Sequence, residues 1–218
     1  MDALTICVNY ADYLTVSLFQ NRKFFDRYLV ITDTSDSETP KVCIEHGAEC
    51  IKTDVFYENN APFAKGRALD MGIKCLWPKW TAIVDADILI PPSFEELTGD
   101  LDAGAIYGPR YKHHCQYGET GSNLHHGGTA CAGFLQMFYI GVDAAFLHPS
   151  TSGHCGTDDV LFSTMFHEVQ YLDMTAYHMG PIADSGKDNI NWRGRVSERC
   201  PYVVADIPLL LEGRQVAP

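Results

Sequence analysis

The first hundred positions switch between two hydrophobic periods. Short runs rich in apolar residues, Thr5–Val8, Tyr28–Thr32, Glu49–Thr53 and Thr81–Val84, read as strands. Between them lie stretches with helical spacing. Leu14–Phe24 carries Leu14, Leu18 and Phe19 at that spacing, Pro40–Glu49 ends at the C-capping Gly47, and Ala64–Leu76 contains Gly66 and Gly72. Strands that regularly alternate with helices predict a parallel, doubly wound α/β sheet.

Beyond residue 100 the pattern changes. Arg110–Gly128 is polar, with paired histidines and four glycines (Gly118, Gly121, Gly127, Gly128), and reads as a long functional loop. Phe134–Ile140 resumes a strand pattern, Thr157–Glu168 reads as a helix with an acidic start, and Val169–Ala176 reads as a strand. Neither a repeat nor a linker interrupts the chain, so one domain over residues 1–218 is expected.

Composition narrows the class. With 46% apolar and 20% charged residues among 218, the chain has the balance of a globular protein with one sizeable core. No apolar run reaches the length of a membrane span, and no basic-then-apolar leader opens the chain. A cytoplasmic protein is the expectation, in the host cytoplasm if the source is viral. The eight cysteines include no CxxC pair, which points to reduced, buried thiols. A net charge of −12 opposes broad attraction to nucleic acid or anionic membrane, while leaving room for a local basic groove.

The most informative chemistry is Asp85-Ala86-Asp87, between the apolar run ending at Val84 and the stretch Ile88-Leu89-Ile90-Pro91-Pro92. Carboxylates at i and i+2 of a strand project to one side. At a strand's C-terminal end they face the crevice where open α/β sheets bind ligands. Paired oxygen ligands there suit Mg²⁺ or Mn²⁺ shared with a phosphate-bearing substrate. The competing reading is an acidic strand-to-turn junction without chemistry.

Further motifs give the triplet a context. In chain order they are Cys7-Val8-Asn9-Tyr10, Asp33, Lys65-Gly66-Arg67-Ala68-Leu69, Asp85-Ala86-Asp87, Gly156-Thr157-Asp158-Asp159 and His178. This series resembles that of metal-dependent nucleotide-sugar glycosyltransferases of the GT-A fold, in particular the family 2-like group, over roughly residues 4–180. The resemblance implies a single Rossmann-like, mostly parallel sheet flanked by helices. It implies a donor-binding half over about 1–100 and an acceptor half over about 101–218.

It also implies roles. Asn9, Tyr10 and Asp33 would meet the nucleotide, with Tyr10 stacked on the base and Asp33 accepting a ring N–H. Asp33 alternatively serves as a turn or capping residue. Lys65 and Arg67 would face the diphosphate or base; alternatively they are solvated surface charges. Asp87 would bind Mn²⁺ or Mg²⁺ directly, Asp85 would reach the ribose or a metal-bound water, and His178 would supply a third ligand. A strand-end His bonded to backbone is the alternative for His178. Asp159, or else Asp158, would take the proton of the acceptor hydroxyl; both alternatively cap a helix.

The implied reaction moves a sugar from a nucleoside diphosphate sugar, with UDP expected, to an acceptor hydroxyl, with inversion if one of these acids is the base. The acceptor is left open as a glycan or small molecule, with hydroxymethylated nucleobases of viral DNA as a minority option.

Rival readings remain. His113-His114-Cys115, His125-His126, Cys131 and His154-Cys155 are zinc-type ligands, but without finger or knuckle spacing. The basic stretch Lys187–Arg195, with Arg110, Lys112 and the paired histidines, could line a small groove for nucleic acid. A sugar-phosphate nucleotidyltransferase would carry a Gly-rich, Arg-containing loop after its first strand. Asn9-Tyr10-Ala11-Asp12-Tyr13 is no such loop. A noncatalytic sugar-nucleotide or nucleic-acid binding module is the rival outside enzymes.

Overall fold

A computed structural model of the chain describes residues 1–61, 63–76, 78–123, 130–141, 161–181 and 199–216. Its first half follows the strand and helix alternation. The elements are β1 (Asp2–Ile6), α1 (Ala11–Asn21), β2 (Arg27–Asp33), α2 (Thr39–Glu45), β3 (Glu49–Thr53), α3 (Lys65–Cys75) and β4 (Trp80–Val84). Then come β5 (Ile88–Leu89), α4 (Phe94–Leu97), β6 (Ala105–His114), β7 (Glu119–Ser122), β8 (Leu135–Tyr139), β9 (Glu168–His178) and α5 (Ile207–Leu211).

One sheet joins all nine of these strands in the order β3-β2-β1-β4-β8-β6-β9-β5, with β7 paired onto β6. The pairs β1/β2, β2/β3 and β1/β4 are parallel. The chain therefore steps outward from β1 to β3, then returns past β1 to β4. Such a reversal opens a crevice at the C-terminal ends of β1 and β4. Beyond β4 the sheet becomes mixed: β8 runs antiparallel to β4 and β6, and β9 runs parallel to β6 and antiparallel to β5.

Two apolar layers cover the sheet. Alternating residues of β1 face opposite sides, so Ala3 packs with Leu14 and Leu18 of α1 while Leu4 packs with Ala68, Leu69 and Ile73 of α3. Gly72 lets α3 close on β1, because a Cβ there would stand 2.4 Å from Leu4 Cδ1. A smaller cluster joins Ile207 and Leu210 of α5 to Tyr13, Leu89 and Met179. The left-handed Gly47, φ +65°, follows α2 as its C-cap role requires.

Two expectations change. Arg110–Asn123 is not a loop but the outer part of β6, a turn through Gly118 (φ +66°), and β7. Its polar residues conceal a strand because its main pairing is with β9, more than fifty residues away. Of the helix read over Thr157–Glu168, residues 157–160 lie outside the described residues, Leu161–Ser163 are helical, and Glu168 already belongs to β9.

A buried polar stripe on α1 fixes the segment after β4. Ser17 Oγ donates to the Ala86 carbonyl (2.7 Å) and Gln20 Nε2 donates to the Ile90 carbonyl (2.9 Å). Asn21 Nδ2 donates to the Ile88 carbonyl (2.7 Å), and Asn21 Oδ1 accepts from the Ile90 N–H (2.9 Å). All three side chains are buried. Residues 86–90 make little regular ladder of their own, so these side chains satisfy backbone groups that would otherwise be buried unpaired. Replacing Asn21 by Ala orphans one carbonyl and one N–H. It should cost about 2–4 kcal/mol, read as a lower urea midpoint at unchanged m-value.

Candidate active site

The Asp85-Ala86-Asp87 triplet leaves β4 as a turn. The Asp85 N–H donates to the Phe134 carbonyl (2.8 Å), the Ile88 N–H to the Asp85 carbonyl (3.2 Å), and the Met179 N–H to the Asp87 carbonyl (2.9 Å). The two carboxylates therefore do not project side by side from a strand. Each takes its own partners. Asp85 Oδ1 pairs with Lys65 Nζ at 2.7 Å, and Asp87 Oδ2 lies 3.3 Å from His178 Nε2. The Tyr10 hydroxyl donates to Asp87 Oδ2 at 3.4 Å.

Asp87 is buried, and burial by itself pushes a carboxyl pKa up. The charge and hydrogen bond of His178, with Lys112 beyond, more than offset that and hold Asp87 below the ordinary carboxylate range. Gly180 makes the arrangement possible. A Cβ at that position would sit 2.1 Å from Asp87 Oδ2 and 3.1 Å from the Tyr10 hydroxyl. Among the described residues, His178 Nδ1 and His114 Nδ1 are buried without a hydrogen-bond partner, and the two rings meet edge to face at 5.4 Å. Burial, then the charges of Lys112 and His178, push His114 down to about 4, so its ring is neutral at pH 7.

The loops after β1 and β2 form the neighbouring wall. Asn9 adopts a left-handed backbone, φ +53°, and its N–H donates to Asp36 Oδ2 at 2.7 Å. Asp36 also accepts from Thr32 Oγ1 (3.0 Å), the Glu38 N–H (3.0 Å), and Thr39 through both N–H (3.1 Å) and Oγ1 (2.7 Å). Burial pushes the Asp36 carboxyl up, but the Thr39, Asn9 and Thr32 hydrogen bonds bring it below its usual value. Asp33 Oδ1 accepts from the N–H and hydroxyl of Ser35, which is the turn role read as its alternative. Tyr10 stacks on Tyr13 at 4.3 Å. Between the first turns of α1 and α2 lies a cleft of about 760 Å³, lined in part by Asn9, Asp12, Asp36, Ser37 and Arg199.

The sequence-derived residues thus fall into groups. Asp87, His178 and Tyr10 converge; Lys65 and Asp85 form an adjoining pair; Asn9 lies on the loop after β1 and Asp33 ends β2. Arg67 pairs with Glu58 at 3.2 Å on the surface. Asp158 and Asp159 lie outside the described residues, as do His125, His126, His154, Cys155 and Lys187–Arg195. Arg110 lies 4.0 Å from Asp173, and Lys112 lies over the Phe134 ring. Among the described residues no three His, Cys, Asp or Glu side chains converge closely enough to hold a metal ion on their own.

Three contributors escaped the sequence reading. Asp36 looked like one more acid in a Ser/Thr-rich loop, although an Asx-type capping signal, an acid three residues before Thr39, was there to find. Gly180 and the α1 stripe Ser17, Gln20 and Asn21 gave no local sign of what they would face. The polar i, i+3, i+4 spacing of that stripe was visible but ordinary for a helix surface.

Residues 3–158 match the family model for Glycosyl transferase family 2. The chain belongs to that family. Its fold is GT-A, a mixed sheet flanked by helices. The mannosyl-3-phosphoglycerate synthase of Rubrobacter xylanophilus is similar over 84% of this chain and 67% of its own, at 17% identity and a TM-score of 0.58. A glucosyl-3-phosphoglycerate synthase of Mycobacterium tuberculosis, solved with Mn²⁺, UDP and glucosyl-3-phosphoglycerate, matches over 52% of this chain at 17% identity and a TM-score of 0.39. The family 2 chain described here covers only 43% of that protein's length. No curated protein matches the chain. Among the described residues no helix is long and apolar enough to cross a membrane.

The Asp36 network has a pH signature. A folded-state carboxyl pKa below the unfolded value of about 3.9 stabilises the fold fully above that value, and the contribution is lost as pH falls through the folded one. Asp36→Asn should lower the urea midpoint at neutral pH. The gap from wild type should hold steady down to about pH 5 and narrow below about pH 4.

Proposed function

We propose that this family 2 protein is a metal-dependent glycosyltransferase that moves a sugar from a nucleoside diphosphate sugar, with UDP as the expected nucleotide, to an acceptor hydroxyl. The observation that carries this reading is the buried Asp87–His178 pair at the crevice beside β1 and β4, with Tyr10 over it and Gly180 leaving room for it. A buried carboxylate held ionised beside an imidazole with an unpartnered Nδ1 suits a divalent ion. Two such donors are an incomplete cage for a lone ion, yet fit one whose remaining ligands are phosphate oxygens and water. The donor set therefore fits Mn²⁺ or Mg²⁺ at Asp87 and His178, while Asp85 is held by Lys65. Such an ion would supply charge neutralisation of the nucleoside diphosphate as it leaves.

The chain's own residues do the rest. Asn9 and Tyr10 after β1 and Asp33 at the end of β2 would receive the nucleotide, and Lys65, anchored on Asp85, adds a fixed positive charge. Asp159, or else Asp158, is the proposed base. It takes the acceptor proton as that oxygen bonds the anomeric carbon, and the C–O bond to the diphosphate breaks with its electron pair on the phosphate oxygen. One displacement of this kind inverts the anomeric centre. The acceptor is a hydroxyl on a glycan or small molecule, with a modified nucleobase as the minority option.

Incubating the protein with UDP-, GDP-, CDP- and dTDP-sugars and Mn²⁺ should release a nucleoside diphosphate from at least one donor. Asp87→Ala should cut that release at least about 100-fold. Pyrophosphate as the product would replace this reading with a nucleotidyltransferase, and tight nucleotide binding without turnover would replace it with a binding module. Gly180→Ala, which pushes a methyl group into the space of Asp87 Oδ2, should weaken Mn²⁺-dependent UDP binding about tenfold or more. Its effect on the melting temperature should stay within a few degrees, roughly what a shift under 1 kcal/mol produces.

A further inference from the structure

Lys112 stands out among the cations around the Asp85-Ala86-Asp87 turn because it has nothing to hold. Lys65 is committed: its ammonium pairs with Asp85 at 2.7 Å and lies 3.5 Å from the Gly133 carbonyl. Lys112, on β6, is part-buried, and its Nζ rests over the Phe134 ring at 4.5 Å from the centroid. Among the described residues its three N–H donors have no hydrogen-bond or ion-pair partner. Phe134 is the residue whose carbonyl accepts the Asp85 N–H, so the ring places the ammonium beside the turn. The ammonium feels both Asp87 and Asp85, and it is near enough to Lys65 to be repelled by it.

A part-buried ammonium without an acceptor is costly to keep, and a ring face compensates only in part. Both carboxylates nevertheless favour its charged form. Its four-carbon stem lets the head swing off the ring with no movement of β6. The group is thus a stored cation with three unused donors, at the turn where the proposed function brings a diphosphate.

We propose that Lys112 leaves the Phe134 ring and donates hydrogen bonds to the diphosphate of the bound nucleotide, as a second cationic contact beside Lys65. This rests on the donor-site reading above. An incoming diphosphate meets two carboxylates that repel it, and Lys65 is already spent on one of them. Lys112 supplies the charge that is still free. The contact would be with the distal phosphate, so it would be felt by a nucleoside diphosphate and not by a monophosphate. It involves no proton transfer.

The test is calorimetric titration of wild type and Lys112→Met with UDP and with UMP, each at fixed Mn²⁺. Met keeps the apolar stem and removes the charge. UDP affinity should fall about 10- to 100-fold in the variant, as for loss of a charge-assisted bond, with UMP affinity changed less than about twofold. Equal losses for UDP and UMP, or none for either, would overturn the proposal while leaving the donor site standing. Failure of wild type to bind UDP, GDP, CDP or dTDP would overturn the donor-site reading and this proposal together. If the variant does not fold, reductive methylation of wild-type lysines decides. Lys112 should be protected by UDP with Mn²⁺ and not by UMP, and unchanged labelling in saturating UDP overturns the contact.

Discussion

The hydrogen bonds from Ser17, Gln20 and Asn21 of α1 to residues 86–90 hold the site in place. The segment after β4 must leave the sheet to form the acidic turn, and in leaving it gives up the ladder that satisfied its backbone. Three buried side chains on the neighbouring helix replace that ladder. The cost of an unpaired buried backbone group makes the turn's position rigid. Everything placed on the turn inherits that rigidity, including the Asp85 and Asp87 carboxylates and the Met179 N–H that draws in the end of β9.

On that fixed turn the two acids are kept apart by different partners, a lysine for one and an imidazole for the other. Lys65 reaches Asp85 from the start of α3, where a helix N-terminus disfavours a lysine and the carboxylate compensates. His178 reaches Asp87 from the end of β9, through a gap that exists because residue 180 has no side chain. The result is a small electrostatic mosaic of opposed charges in a partly dry crevice, where each interaction counts for more than it would in water. The loop wall opposite is organised in the same manner by Asp36, whose carboxylate gathers five donors from three segments.

Much of this was legible in the chain. The β1–β4 alternation and the C-capping Gly47 follow from local periodicity and residue type, and the motif order that resembles family 2 put Asp85, Asp87, Lys65 and His178 forward as site candidates. The long polar stretch from Arg110 was misread because β6 draws its partner from β9, and strand pairing across such a distance leaves no periodic trace. Its mixed burial, apolar at Ala105–Pro109 and then half-exposed along the crevice, broke the alternation that marks an ordinary strand. Asp36, Gly180 and the α1 stripe are silent in the sequence for a related reason. Each looks common in its own neighbourhood, and its meaning lies in an atom from elsewhere.

The sequence by itself determined the parallel half of the sheet from β1 to β4, the place of the acidic triplet just after β4 and the family to which the chain belongs. Those depend on hydrophobic period and motif order, which are properties of neighbours along the chain. Only the tertiary structure decided that Asp85 and Asp87 serve different partners, that a helix's polar stripe faces inward, and that Lys112 rests over the Phe134 ring. These facts depend on distances between residues 20 to 91 positions apart. Such distances are set by how the layers close, and no local pattern encodes them.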